Sequence, residues 1–307
     1  MRYHFRTADV FTERLFGGNP LAVFPDARGL TDKDMQRVAR EFNLSETVFV
    51  FPAVNTGNTR QLRIYTPTAE IPFAGHPTIG CAYVLAAIGE IPLIGDITPI
   101  VFEEQIGLIK VWIRARDGQP VFAQLAVAKL PEFGPEPPPL NDLARLLSLD
   151  PADLLSDCWT PQAVSCGVPF LCIPVRNRDV LRRVQLRLDA LPKVLGTYWT
   201  QSVYVFTADP ELPGSDWRVR MFAPSLGVAE DAATGAAAAA FAGYLADRSE
   251  AGMGTLRWVI EQGFEMDRPS LLEAEADKSQ GSTTAIRVGG SAVEVSEGWM
   301  EIPVTEA

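Results

Sequence analysis

Histidine is scarce: only His4 and His76 occur, far apart in the chain. The four cysteines, Cys81, Cys158, Cys166 and Cys172, form no CxxC pair, and none lies at ligand spacing from a histidine. That pattern excludes a zinc module and predicts no bound metal. The cysteines read instead as reduced core thiols of a cytosolic chain. No P-loop and no G-x-G-x-x-G is present, so no nucleotide cofactor is expected. The longest apolar run, Gly235 to Leu245, is too short to span a bilayer, and the N-terminus lacks the apolar stretch of a signal peptide. Positive charge is also short: 27 Lys and Arg against 38 Asp and Glu give a net charge of -11. Nucleic acid and anionic membrane are therefore poor partners. The location expected is cytoplasmic.

What is present is enough for two folded units. The chain has 307 residues, 47% of them hydrophobic, which is long for one compact domain and comfortable for two. It also repeats itself. Arg63-Ile-Tyr-Thr-Pro-Thr matches Arg220-Met-Phe-Ala-Pro-Ser at an offset of 157 residues, and Glu104-Gln105 matches Glu261-Gln262 at the same offset. Each copy reads as a strand ending in proline, a short loop, then an Ala-rich helical stretch. The domains expected are 1–128 and 129–307, with the last strands able to return to the N-terminal lobe.

Periodicity predicts strands over Arg2 to Val10, Pro20 to Phe24, Glu46 to Phe51, Arg60 to Tyr65, Ile100 to Glu104 and Gly107 to Arg114. Helices fit Thr31 to Phe42, with Thr31 as N-cap, and His76 to Ile88. In the second half, strands fit Phe122 to Ala128, Ala163 to Cys166, Phe170 to Val175, Ser202 to Ala208 and Trp217 to Met221. Helices there fit Leu140 to Leu147, Asp179 to Leu191 and Thr234 to Asp247. The tail, Thr283 to Pro303, reads as a hairpin around Gly289-Gly290. The Pro-rich stretch Leu130 to Leu140 reads as a stiff crossing between halves. This is an α+β pattern: two similar lobes, each a curved mixed sheet around one buried helix. The alanines of 236–240 suit a helix that must be thin on every side.

Three segments interrupt apolar runs with polar groups. Glu46 stands where a helix gives way to the apolar strand Thr47-Val-Phe-Val. Burial there would raise its pKa toward the range a general acid/base needs; the plainer reading is a cap or a solvent-facing carboxylate. Gly75, His76, Pro77 and Thr78 open a helix whose free N–H groups suit an anion, although His76 would also serve as a locally satisfied helix-start residue. Glu230 to Ala236 occupies the same place in the second copy, where Asp231 or Thr234 would cap the helix.

These residues carry a family resemblance. The runs Gly18-Asn19-Pro20-Leu21, Asn43-Leu-Ser-Glu46-Thr, Ala74-Gly75-His76-Pro77-Thr78, Glu230-Asp231-x-Ala233-Thr234-Gly235, Glu261-Gln262-Gly263 and Arg268-Pro269-Ser270 resemble the PhzF-like branch of the diaminopimelate-epimerase superfamily. The resemblance implies the two-lobed epimerase-like fold with a site between lobes, a homodimer and no cofactor. It implies a small carboxylated substrate, as in isomerisation of trans-2,3-dihydro-3-hydroxyanthranilate. Glu46 matches the glutamate that moves the proton, and His76 and Asp231 match the residues that bind substrate and assist. Asn19, Gly75, Thr78, Thr234, Gly235 and Ala236 fall at substrate-binding positions. Two positions depart from the family pattern: Ala232 replaces a proline and Ala236 a serine, and the lost hydroxyl bears on the substrate.

Two other readings compete. A two-base epimerase needs a thiol at each helix start, and positions 75 and 231 to 236 hold none. A non-catalytic ligand-binding or protein-interaction module would account for Ala236, but has no evident need for Glu46 in an apolar setting.

Overall fold

A computed structural model describes residues 1–303. The chain divides into two units, Met1–Ala128 with the chain from Gly289 onward, and Lys129–Val288.

The first unit contains β1 (Arg2–Val10), β2 (Asn19–Phe24), α1 (Asp32–Phe42), β3 (Glu46–Phe51), β4 (Arg60–Tyr65), β5 (Glu70–Ile71), α2 (Gly75–Ala87), β6 (Ile97–Glu104), β7 (Gly107–Arg116) and β8 (Gln119–Ala126). Thr31 caps α1 through a capping box with Asp34, as its sequence predicts. The strand expected at Phe122 to Ala128 is β8, which pairs antiparallel with β7 and so belongs to this unit, not to the second half.

The second unit contains β9 (Glu132–Phe133), α3 (Leu140–Leu146), β10 (Gln162–Ser165), β11 (Pro169–Pro174), α4 (Arg178–Arg183), α5 (Leu191–Leu195), β12 (Val203–Thr207), β13 (Trp217–Ala223), β14 (Val228–Asp231), α6 (Gly235–Asp247), β15 (Gly254–Gln262), β16 (Ser270–Ser279) and β17 (Ser282–Gly290) up to Val288. The last strand, β18 (Ala292–Glu301), lies antiparallel to β1, with Ala292 opposite Val10. The tail is therefore more than a local hairpin: the turn signal marks the bend but does not choose the partner.

The two units repeat one topology. β1–β2, β3–β4 and β6–β7 pair antiparallel, and β2–β3 and β4–β6 pair parallel. β10–β11, β12–β13 and β15–β16 pair antiparallel, and β11–β12 and β13–β15 parallel. Side chains repeat with them. Arg63 grips Glu70 through Nε and Nη2 (2.7 and 2.6 Å) and lies over the Tyr65 ring. Arg220 grips Glu230 the same way (2.7 and 2.8 Å) and lies over Phe222.

One sequence match needs correcting by a residue. The Glu103 carboxylate accepts from the N–H groups of Val54 and Asn55, and that of Glu261 from Glu211 and Leu212. Glu103-Glu104, not Glu104-Gln105, is thus the counterpart of Glu261-Gln262. In a strand one residue changes the face, so the correction decides which side chain points inward.

α2 and α6 have no solvent face: all of α2 is buried except Tyr83 and Ala87, and all of α6 except Ala236 and Asp247. Helices apolar all round occupy a core. No helix among the described residues is long and apolar enough to cross a membrane.

Three further expectations fail for tertiary reasons. The helix predicted over Asp179 to Leu191 is two short ones, because the buried guanidinium of Arg220 donates to the carbonyls of Leu181 and Val184 (3.1 and 2.8 Å). The N–H groups of Gln185 and Arg187 go to the end of α3 instead, at Leu147 and Leu146. The Pro-rich crossing is not a free spacer: β9 pairs with β10, and Gly134 N–H donates to Ala163 O. Cys158 is exposed, unlike buried Cys81 and Cys172, so it is not a core thiol.

Candidate active site

The first unit brings Glu46 and His76 together from elements remote in sequence. Asn43 ends α1 in the left-handed conformation, at φ 51°, and frees the chain to start β3 at Glu46. β3 then runs parallel to β2, with Glu46 opposite Leu21. Asn19, fully buried at the head of β2, accepts a hydrogen bond from Ser45 Oγ at 3.3 Å.

α2 meets these strands through Gly80. A Cβ there would sit 2.5 Å from Val10 Cγ2 and 2.6 Å from Leu21 Cδ2. His76 is one turn earlier on the same helix face. Its Nε2 lies 3.2 Å from Glu46 Oε2, with side-chain exposures of 5% and 15%. The pair is not an ion pair. Burial pushes the His76 pKa down to about 3, so the ring is neutral at ordinary pH. Nε2 is buried and makes no hydrogen bond of good geometry among the described residues. A carboxyl group beside a neutral ring, with a little solvent access, is an arrangement suited to taking up and returning a proton.

Two residues further along α2, Thr78 meets a buried acid, Glu104. Thr78 Oγ1 is 2.8 Å from Ala74 O and 2.7 Å from Glu104 Oε1. Burial raises the Glu104 pKa to about 8, so it is largely protonated at neutral pH. Thr78 has a single proton for these two contacts, and its donation to Glu104 opposes the effect of burial without cancelling it. Thr78 is fully buried and its hydroxyl is committed to this core contact. The sequence marked Glu104 only as a repeat match; the available signal was an acid ending the apolar run Ile100-Val-Phe.

These two groups oppose each other in pH. The folded pKa of Glu104 lies above its ordinary 4.5, so its contribution is complete below pH 4.5 and is lost as pH rises toward 8. That of His76 lies below its ordinary 6.5, so its contribution is complete above pH 6.5 and is lost as pH falls toward 3. Each slope is at most about 1.4 kcal/mol per pH unit. Glu104→Gln is expected to abolish the alkaline fall and to gain stability over wild type most at pH 8 and above. Denaturant melts at pH 5, 7 and 9 check this; parallel profiles for the two proteins would refute it.

The second unit presents Asp231 at the end of β14 and Thr234 at the N-cap of α6. Thr234 does not cap the helix with its side chain; its hydroxyl donates to Asp231 Oδ2 at 2.6 Å. Ala74, the N-cap of α2, has no side chain able to cap. The first N–H groups of a helix have no partner within it, so both helix starts keep donors for an anion. Gly75 and Gly235 are buried at these starts, and Ala236 is partly exposed. Among the described residues no three His, Cys, Asp or Glu side chains converge as metal ligands.

Comparison with known proteins gives a consistent result. The model of a family described as phenazine biosynthesis-like protein matches residues 8–298. An uncharacterised isomerase of Mesorhizobium japonicum is 39% identical over 293 residues, 94% of this chain and 96% of that protein. A trans-2,3-dihydro-3-hydroxyanthranilate isomerase of Pseudomonas chlororaphis is 33% identical over 300 residues, covering 96% and 98%. A crystal structure of a PhzF-family phenazine biosynthesis protein from Bacillus anthracis superposes with a TM-score of 0.88 at 24% identity, covering 98% of this chain and all of that one.

Proposed function

The chain belongs to the phenazine biosynthesis-like family, and from that premise we propose an isomerase in which Glu46 takes a proton from one carbon of a small carboxylated substrate and returns it to another. The contact between Glu46 and neutral, buried His76 carries this reading. A neutral imidazole can orient the carboxyl group and hydrogen-bond substrate without fixing a positive charge beside the base. One base suffices, because the same oxygen that receives the proton can deliver it to a neighbouring carbon on the same face. Asp231 is proposed as a substrate-holding group, and the uncapped helix start in each unit, α2 in the first and α6 in the second, to offer N–H groups to a carboxylate. Gly75, Gly235 and Ala236 would let the substrate approach the backbone closely; Asn19 supports the start of β3. The isomerases named for trans-2,3-dihydro-3-hydroxyanthranilate make that compound the first candidate, and the absent hydroxyl at Ala236 makes a related carbon acid the second.

The test is incubation of wild type with trans-2,3-dihydro-3-hydroxyanthranilate, then with a panel of small unsaturated carboxylates, in heavy water. NMR should show an isomerised product carrying solvent deuterium at one carbon. Neither isomerisation nor exchange with any of them would overturn the proposal.

A further inference from the structure

We infer that Gln262 is a positioning residue, which with Gly263 and Ser270 clamps the segment from Asp231 to Thr234 and presents the Asp231 carboxylate in one orientation. This rests on the reading of Asp231 as a substrate-holding group. Gln262 is fully buried. Its Oε1 accepts from Thr234 N–H at 3.2 Å, and its Nε2 donates to Asp231 O and to Thr234 Oγ1, both at 2.9 Å. The amide orientation is fixed by chemistry, since a backbone N–H must face the oxygen and a backbone carbonyl the nitrogen. Thr234 Oγ1 therefore receives a proton from Gln262, and its own proton goes to Asp231 Oδ2 at 2.6 Å. The relay runs one way and ends on the carboxylate as acceptor.

The rest of the loop is held from the same side. Ser270 Oγ lies 2.9 Å from Ala232 O and 2.9 Å from Arg268 O. Gly263 adopts φ +77°, and a Cβ there would stand 2.4 Å from Ala232 O and 2.5 Å from Arg268 O. Only glycine allows β15 to pass the loop so closely. The residues Gln262, Gly263 and Ser270, remote from Asp231 in sequence, thus act on one four-residue segment.

A carboxylate at position 262 could not make these bonds, because Asp231 O and Thr234 Oγ1 both need a donor. The corresponding strand position of the first unit agrees. Glu104 stands there, beside the opening turn of α2, and burial keeps it largely protonated. Both units place a side chain without charge at this point.

The experiment compares Gln262→Met, Gln262→Glu, Thr234→Ser, Thr234→Val and Asp231→Asn. Hydrogen exchange over residues 231–235 should accelerate at least about tenfold in Gln262→Met, with the global melt retained. On the substrate that wild type turns over, kcat/KM should fall about 10²-fold, the scale of a misplaced contact group. Gln262→Glu should work best at low pH and lose activity as its carboxyl ionises, a limb that wild type lacks. Thr234→Ser should retain activity and Thr234→Val should not. Unchanged exchange in Gln262→Met, or a Gln262→Glu profile parallel to wild type, overturns the clamp. If Asp231→Asn is fully active, the reading of Asp231 falls and the clamp's role with it. If Asp231→Asn is inactive while the Gln262 variants match wild type, only the clamp falls. Should no substrate be turned over, the exchange arm alone decides.

Discussion

Glu46→Gln is expected to lower kcat by roughly 10²- to 10⁴-fold, the usual contribution of a positioned proton-transfer group. Glutamine keeps the shape and polarity of the side chain but cannot take up a proton from carbon. Folding should survive the change. Glu46 retains some exposure and its neighbour His76 is neutral, so no buried ion pair is broken. The melt should stay within about 1 kcal/mol of wild type, as for substitutions that create no cavity or unpaired charge. Steady-state kinetics and a denaturant melt on the same preparation check both halves. Turnover within a few-fold of wild type would remove Glu46 from the proton path. A collapse of stability together with activity would mean that the carboxyl group is a structural element.

Gly80→Ala is the second large effect, and its direction is a contest of two terms. Alanine favours a helix over glycine by about 1 kcal/mol. Against this, the new methyl would lie 2.5 Å from Val10 Cγ2 and 2.6 Å from Leu21 Cδ2. Val10 and Leu21 are both fully buried, so neither has room to swing away. Overpacking of this kind costs about 1–3 kcal/mol, and the second term should win. The helix can relieve the clash only by backing away from β1 and β2. That motion carries His76 away from Glu46, which starts the strand beside β2. A loss of stability accompanied by a larger loss of kcat/KM is expected; a stabilised, fully active protein would show that the close packing is not what sets the pair.

Local elements were well marked in the sequence. β1, β3 and β4 run over the residues expected of them, and α1 starts at the Thr31 capping box because both partners are three residues apart. The repeat was visible in Arg63 and Arg220, which prove to make the same carboxylate grip and the same ring contact. Glu46 and His76 stood out as polar residues in apolar runs. The strands β15 and β16 went unseen, although they form one antiparallel ladder from Gly254 opposite Lys278 to Gln262 opposite Ser270. In β16 the buried residues alternate, at Leu272, Ala274 and Ala276, but Ala, Glu and Asp are depleted in strands, so its composition argues against the element that its period marks.

Composition and local pattern alone determined the α+β class, the doubled architecture and the absence of phosphate-loop or cysteine–histidine metal motifs, because these depend on residues close in sequence. Tertiary structure decided the rest. It set Glu46 3.2 Å from His76 across 29 intervening positions, cut one predicted helix in two with the Arg220 guanidinium, and turned Glu104 rather than Gln105 toward Thr78. It also made His76 neutral and left Glu104 its proton, since the cost of burying a charge is set by everything packed around a group and not by its neighbours along the chain.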